Sequence, residues 1–229
     1  MARPHKIHVQ EEMQFPTWGG KRANAGRRQV RPRKSEPHRA RPRLQPTNPV
    51  HVVLRVVPAV GRLRRRPSYK AIRRAMQVVL DHADFRIVHV SIQATHLHLL
   101  VEAANETALA KGMQAFEISA ARRLNAAAKR RGTVFADRYH PEVIDNPRQA
   151  HHCLGYVLNN WRKHGEHRAT TWRLDPYSSA ISFAGWTEHP LYWEPPESYE
   201  RLPVCVPQTW LLYEAWKRHG TIAITRVPG

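Results

Sequence analysis

The sequence predicts an α+β domain, an antiparallel sheet with helices on one face. Three observations carry this. Short β-branched runs alternate with longer segments of helical periodicity, in the order β-α-β-β-α-β-α, between about residues 49 and 165. Two of the strand-like runs are separated only by Gln93-Ala94-Thr95, too short for a crossover helix, so they should pair as a hairpin. No internal repeat is present that would argue for a solenoid or propeller instead.

The first strand is His51-Val52-Val53-Leu54-Arg55-Val56-Val57, ended by Pro58. Gly61 to Pro67 is a basic turn. Ser68 then offers an N-cap, and Tyr69, Ile72, Met76, Val79 and Leu80 recur at helical spacing to about His82. Phe85-Arg86-Ile87-Val88-His89-Val90-Ser91-Ile92 is a second, largely buried strand, and His96-Leu97-His98-Leu99-Leu100-Val101-Glu102 a third. A long helix starts at Thr107, with Leu109, Met113, Phe116, Ile118, Ala120 and Leu124 on its apolar face and Gly132 as its stop. An irregular extended stretch, Ala136 to Pro141, leads into Glu142-Val143-Ile144. Asn146 caps a final helix, with Pro147 at its first position and Gly165 as terminator. This order is of ferredoxin-like character.

Composition narrows the partner. Among 229 residues, 37 Lys plus Arg against 18 Asp plus Glu leave a net charge of +19. Such a surface gains affinity for a polyanion by releasing phosphate counterions, so nucleic acid leads. The two cysteines, Cys153 and Cys205, form neither a disulfide framework nor a cysteine zinc site and suit a reducing setting. No apolar run approaches a bilayer span and the N-terminus lacks a signal peptide's apolar core, so a cytoplasmic, nucleoid-associated protein with no membrane partner is expected. Residues 1–47 are rich in Arg, Lys and Pro and are expected to be a disordered basic tail. Residues 48–165 form the domain. Residues 166–229, rich in Trp, Pro and Tyr, show no chemistry and are expected to be an appendage packed on the domain or on DNA.

Two places carry candidate chemistry. On a strand, His96 and His98 point to the same face and could converge on one divalent ion; two surface or core histidines would give the same spacing. On the last helix, Tyr156 and Asn160 are four apart and share a face. Asn160 offers a hard oxygen ligand for Mg²⁺ or Mn²⁺, and Tyr156 a phenol one turn away, although by itself Tyr156 is better read as a buried helix aromatic. His51 is expected to pack, and His151-His152 point too far apart to ligate together. Arg62, Arg64, Arg65 and Arg66 suggest a phosphate-facing loop; Arg138 either contacts DNA or braces the sheet edge.

Four segments occur in one order: Pro49-Val50-His51-Val52-Val53-Leu54-Arg55-Val56, Thr95-His96-Leu97-His98-Leu99-Leu100-Val101-Glu102, Val134-Phe135-Ala136-Asp137-Arg138-Tyr139-His140, and Tyr156-Val157-Leu158-Asn159-Asn160-Trp161-Arg162-Lys163-His164-Gly165. Together they resemble the single-tyrosine HUH transposases, in particular the REP-associated tyrosine transposases and their relatives in the single-strand insertion-sequence group. The resemblance spans about residues 48–165. It implies an HUH core, a metal held by His96, His98 and Asn160, Tyr156 as nucleophile, and cleavage and rejoining of single-stranded DNA beside hairpins through a 5′-phosphotyrosine. It leaves open a monomer with all four residues in one chain or a swapped homodimer. Two positions depart from the family pattern. Trp161 stands where a Pro often follows the Asn, and Gln93-Ala94-Thr95 replaces a stretch that usually carries Met-Pro. Neither removes an implied ligand. A non-cleaving protein that binds structured DNA or RNA, and a metal phosphoesterase using water in place of Tyr156, are the competing readings.

Overall fold

The computed structural model describes residues 43–188 and 195–228. Strands β1 (Val50–Arg55), β2 (Phe85–Ile92), β3 (His96–Ala103) and β4 (His140–Val143) form one antiparallel sheet in the order β2-β3-β1-β4. The helices are α1 (Arg66–Gln77), α2 (Glu106–Ala127), α3 (Pro147–Lys163) and the single turn α4 (Trp210–Tyr213). The expected element order and the β2–β3 hairpin are both present, and the strand order is that of a ferredoxin-like sheet.

Strand alternation divides the sheet into two unlike faces. Val50, Val52 and Leu54 of β1 and Leu97, Leu99 and Val101 of β3 point to the side covered by α1 and α2, where Ile72, Met76, Met113 and Phe116 complete a core. Gly112 is where α2 comes closest to the sheet: a Cβ there would lie 2.1 Å from the Phe85 ring. The intervening residues, His51, His98, Leu100 and Glu102, point the other way. One-sided coverage therefore describes α1 and α2 only. The opposite face carries a second layer, α3 and the C-terminal segment, because Val88 and Leu100 present apolar surface there to Leu154, Val157 and Leu158.

Several boundaries differ from the sequence expectation. α1 begins at Arg66 rather than after Ser68, since Pro67 is preorganised for a first turn. α2 is capped by Asn105, whose side chain accepts from Ala108 N, and ends at Ala127, not at Gly132; Lys129 adopts a positive φ of 50° to reverse the chain. The last helix is as expected: the Asn146 side chain accepts from Gln149 N, and Gly165 (φ 68°) follows the C-cap in the left-handed region. Residues 1–42 of the expected basic tail lie outside the described residues. Its last part is packed: Leu44 is buried in the α1–α2 core and its N–H donates to Glu106 Oε1 at 2.8 Å.

The C-terminal segment is part of the core, not an appendage on it. Phe183, Trp186, Leu212, Trp216 and Ile222 are buried with α3 residues. Buried Glu102 accepts from Gln208 N, Thr209 N and Thr209 Oγ1, and Ser179 Oγ accepts from Val90 N. Arg64, expected to face phosphate, is turned inward instead. Its guanidinium forks onto Asp175 at 2.8 and 3.0 Å and also donates to Ile92 O. With side chains only 5% and 0% exposed, the pair needs both partners. Among the described residues no helix is long and apolar enough to cross a membrane.

Arg64→Ala should therefore cost about 3–5 kcal/mol, read by urea unfolding, by stranding the Asp175 carboxylate. His89, buried against Ser179 and Phe183, should make stability acid-sensitive. Burial holds its pKa near 4, against 6.5 unfolded. Below pH 6.5 the unfolded chain takes up a proton that the native chain refuses. Stability then falls until about pH 4, by on the order of 3 kcal/mol for this group. In urea unfolding from pH 7 to pH 4.5, His89→Gln should show a shallower decline than the wild type.

Candidate active site

The face of the sheet under α3 collects the titratable side chains. Antiparallel register sets His98 opposite Val53 and His96 opposite Arg55 on the central strands, and Glu142 of β4 opposite His51. Cross-strand neighbours on one face are within side-chain reach. The result is a chain of contacts: Glu142 Oε2 is 3.7 Å from His51 Nδ1, His51 Nε2 is 3.0 Å from His98 Nδ1, and His98 Nε2 is 3.0 Å from His96 Nε2.

α3 lies over this row. The Tyr156 ring stands edge-on to His98 at 5.3 Å between centroids and to His51 at 6.0 Å. One helical face further on, His164 packs against His96 at 5.7 Å. Residues 156, 160 and 164 succeed one another along a single helix face, so Asn160 sits between two contacts that already bracket the histidine pair. It is fully buried, and neither Oδ1 nor Nδ2 has a hydrogen-bond partner. Lys163 Nζ lies 5.2 Å above the Tyr156 ring. Trp161, at the position where the resemblance would place a Pro, is buried and leaves α3 unbroken through Lys163.

His96, His98 and Tyr156 border a cleft of about 670 Å³ also lined by Arg55, Glu142, His152, Lys163, His164 and Arg226, while Asn160 lies buried on the same face of α3, outside the cleft lining. Burial keeps both histidines neutral at pH 7. His98 is pushed down to about 2 and His96 to about 4, in each case first by desolvation and then by neighbouring positive charge, from His51 and His164 respectively. His51 is lowered by burial too, against the pull of Glu142. Neutral imidazole is the form that ligates a metal.

The donor set fits a divalent cation. Two ligand atoms about 2.1 Å from one ion and at right angles to each other are about 3.0 Å apart, which is the His96–His98 Nε2 separation. Asn160 adds a buried amide oxygen that lacks any protein partner. Among the described residues no group of three or more His, Cys, Asp and Glu side chains is placed to hold a metal ion.

Of the arginines, Arg62 is half exposed and donates to Glu166 Oε1 at 2.7 Å, while Arg65 and Arg66 are exposed at the start of α1. Arg138 lines a different groove, with Glu106, Lys111 and Gln114 of α2, and does not reach the histidines. Sequence reasoning undervalued His51, whose orientation depends on strand register. It missed Glu142 and also Arg226, whose Nη2 reaches His152 Nδ1 at 3.4 Å from a segment with no local signature. Asn159 Nδ2 and Arg162 Nε hold that segment on α3 by donating to Ala223 O and Ile224 O.

A family model described as IS200-like transposase matches residues 47–160, from just before β1 to Asn160. The chain belongs to the IS200-like transposase family. Among solved structures, a REP-associated tyrosine transposase bound to a REP hairpin is similar at 14% identity and a TM-score of 0.51, covering 76% of this chain and all of that one. At that identity the likeness shows the fold alone. A protein from Deinococcus radiodurans described as a candidate transposase covers 48% of this chain and 86% of its own, with 12% identity and a TM-score of 0.35, too low to argue from. No curated protein matches. This transposase is a DNA-acting protein by family, and its IS200-like segment contains the histidine pair, the tyrosine and the asparagine.

Asn160 gives a test that needs no DNA. With metal absent, both of its polar atoms are buried without partners, so Asn160→Leu should raise the metal-free protein's stability by about 1–2 kcal/mol. A thermal melt in EDTA measures it; a loss of stability would mean that the amide is satisfied.

Proposed function

We propose that this transposase cleaves and rejoins single-stranded DNA beside hairpins, with Tyr156 as nucleophile and a divalent metal, Mg²⁺ or Mn²⁺, held by His96, His98 and Asn160. The observation that carries this reading is the seating of Tyr156 edge-on to His98, above the convergent histidine pair of its own chain. The structural relative bound to a REP hairpin supports hairpin DNA as the partner.

The Tyr156 oxygen attacks the phosphorus of a DNA phosphodiester. The bond from phosphorus to the 3′-oxygen breaks, and the strand leaves with a 3′-hydroxyl while the 5′-phosphate stays on the tyrosine. The phenolic proton passes to solvent through the open cleft. The number of phosphoester bonds is conserved, so the reverse reaction rejoins strands without a nucleotide cofactor. When bound, the metal supplies Lewis acidity that polarises the scissile phosphate and stabilises the leaving oxygen.

The chain's own residues prepare the site. With His98 Nδ1–H donating to His51 Nε2, and the Glu142 carboxylate 3.7 Å from the other ring nitrogen of His51, the tautomer of His98 leaves its Nε2 free to ligate. Lys163 and Arg226 bring positive charge to the cleft that receives the phosphate. Arg62, Arg65 and Arg66 are exposed and add to the positive charge that attracts the DNA backbone.

A labelled hairpin oligonucleotide with Mn²⁺ tests the reading directly. A denaturing gel should show a covalent protein–DNA adduct, lost in Tyr156→Phe and in EDTA. An adduct that persists in Tyr156→Phe moves the nucleophile elsewhere. Tight, EDTA-insensitive hairpin binding with no adduct under any metal would mean a binding protein, and free 5′-phosphate products with no linkage a water-using phosphoesterase.

A further inference from the structure

A second cleft, outside the tyrosine site, is walled by aromatic rings. Tyr69 of α1 meets Tyr177 edge-on at 5.7 Å and Tyr199 at 6.0 Å, and Trp172 meets Tyr199 at 5.1 Å. The cleft measures about 420 Å³, within the usual size of small-ligand sites. Two of the hydroxyls are already committed: Tyr69 Oη donates to Glu200 O and Tyr199 Oη to Pro176 O. What these residues offer a ligand is therefore ring surface, not hydrogen bonds. The Arg64 guanidinium, locked by Asp175, lies 4.6 Å from the Tyr177 ring centre and braces that wall.

The charge pattern favours an anion-bearing planar ligand. Arg66 and Lys70 line the cleft and are exposed, and no acidic residue occupies the first turn of α1. The two carboxylates in the wall are both in ion pairs. Glu166 is 2.7 Å from Arg62 and 3.7 Å from Arg64, and Glu200 is 2.9 Å from Arg73. The position fits as well. Glu166 of the wall is only two residues past His164, whose ring packs on His96, so the cleft borders the end of α3 that reaches the candidate metal site.

We propose that the Tyr69–Trp172–Tyr177–Tyr199 cleft docks an unpaired nucleobase of the single strand flanking the hairpin, with Arg66 and Lys70 on the adjoining phosphates. Stacking on aromatic walls is tolerant of base identity and substantial per base, and a basic rim tracks the backbone. The inference rests on the single-strand reading given above. It adds a contact that holds the strand beyond the cleavage site, supplied largely by the C-terminal segment.

Binding in EDTA, where no cleavage occurs, tests it. The full chain is titrated with a labelled hairpin that is blunt or carries a short single-stranded thymidine extension at its 5′ or 3′ end. Wild type should prefer one extended hairpin over the blunt one by about tenfold, and Trp172→Ala should abolish that preference. Equal affinities in the wild type, or an undiminished preference in Trp172→Ala, would overturn the proposal. As a check that does not depend on the variant folding, 5-iodouracil in the extension should photocrosslink the wild type at a peptide containing Trp172 or Tyr199; crosslinks confined to other peptides would also overturn it. The tyrosine reading fails separately: an adduct without extension preference sinks the cleft alone, and extension preference without an adduct sinks the nucleophile alone.

Discussion

α3 packs flat on a sheet face that carries a row of imidazoles, and the candidate site depends on that contact. The face could not be left open to water without losing Val88 and Leu100 from the core, so Leu154, Val157 and Leu158 cover it. Covering it desolvates His51 and His98 and drives their basicity down. It also sets the edge of Tyr156 against His98 and buries the unpartnered amide of Asn160 between Tyr156 and His164. A helix placed to close a core thereby brings a phenol to the histidine pair and buries an amide on the same helix face.

Burying polar groups without partners is costly, and Asn160 carries two such atoms. Several other buried polar groups are satisfied. Glu102 takes donors from Gln208 and Thr209, Asp175 takes the Arg64 fork, and Ser179 caps the β2 ladder. Asn160 contrasts with them, which is the pattern expected where stability has been given up for a ligand that is not part of the chain. The C-terminal segment is hydrogen-bonded to β2, β3 and α3, and delivers Arg226 to the cleft.

The contrast between Arg64 and Arg66 shows how poorly composition assigns roles within one basic run. Both were expected to face phosphate. Arg64 became an internal strut because Asp175, more than a hundred residues later, folds back onto it. Arg66 stayed at the surface, on the rim of an aromatic cleft whose other walls come from residues 172, 177 and 199. Local sequence holds no trace of either fate, because each is fixed by a partner far away in the chain.

The sequence by itself determined the elements and the candidate quartet. Strand periodicity set β2 and β3, the Asn146-Pro147 start and Gly165 stop bounded α3, and the spacings His96-Leu97-His98 and Tyr156 to Asn160 put each pair on one face. These are short-range properties, legible because alternation and helical pitch are fixed by backbone geometry. Only the tertiary structure decided that the two faces meet. It also turned His51 and Glu142 toward the site, since inward or outward orientation follows from strand register, not from residue type. It made Phe183, Trp186, Leu212, Trp216 and Ile222 part of the core and built the aromatic cleft, since apolar side chains without regular spacing reveal their partners only once the chain has closed on itself.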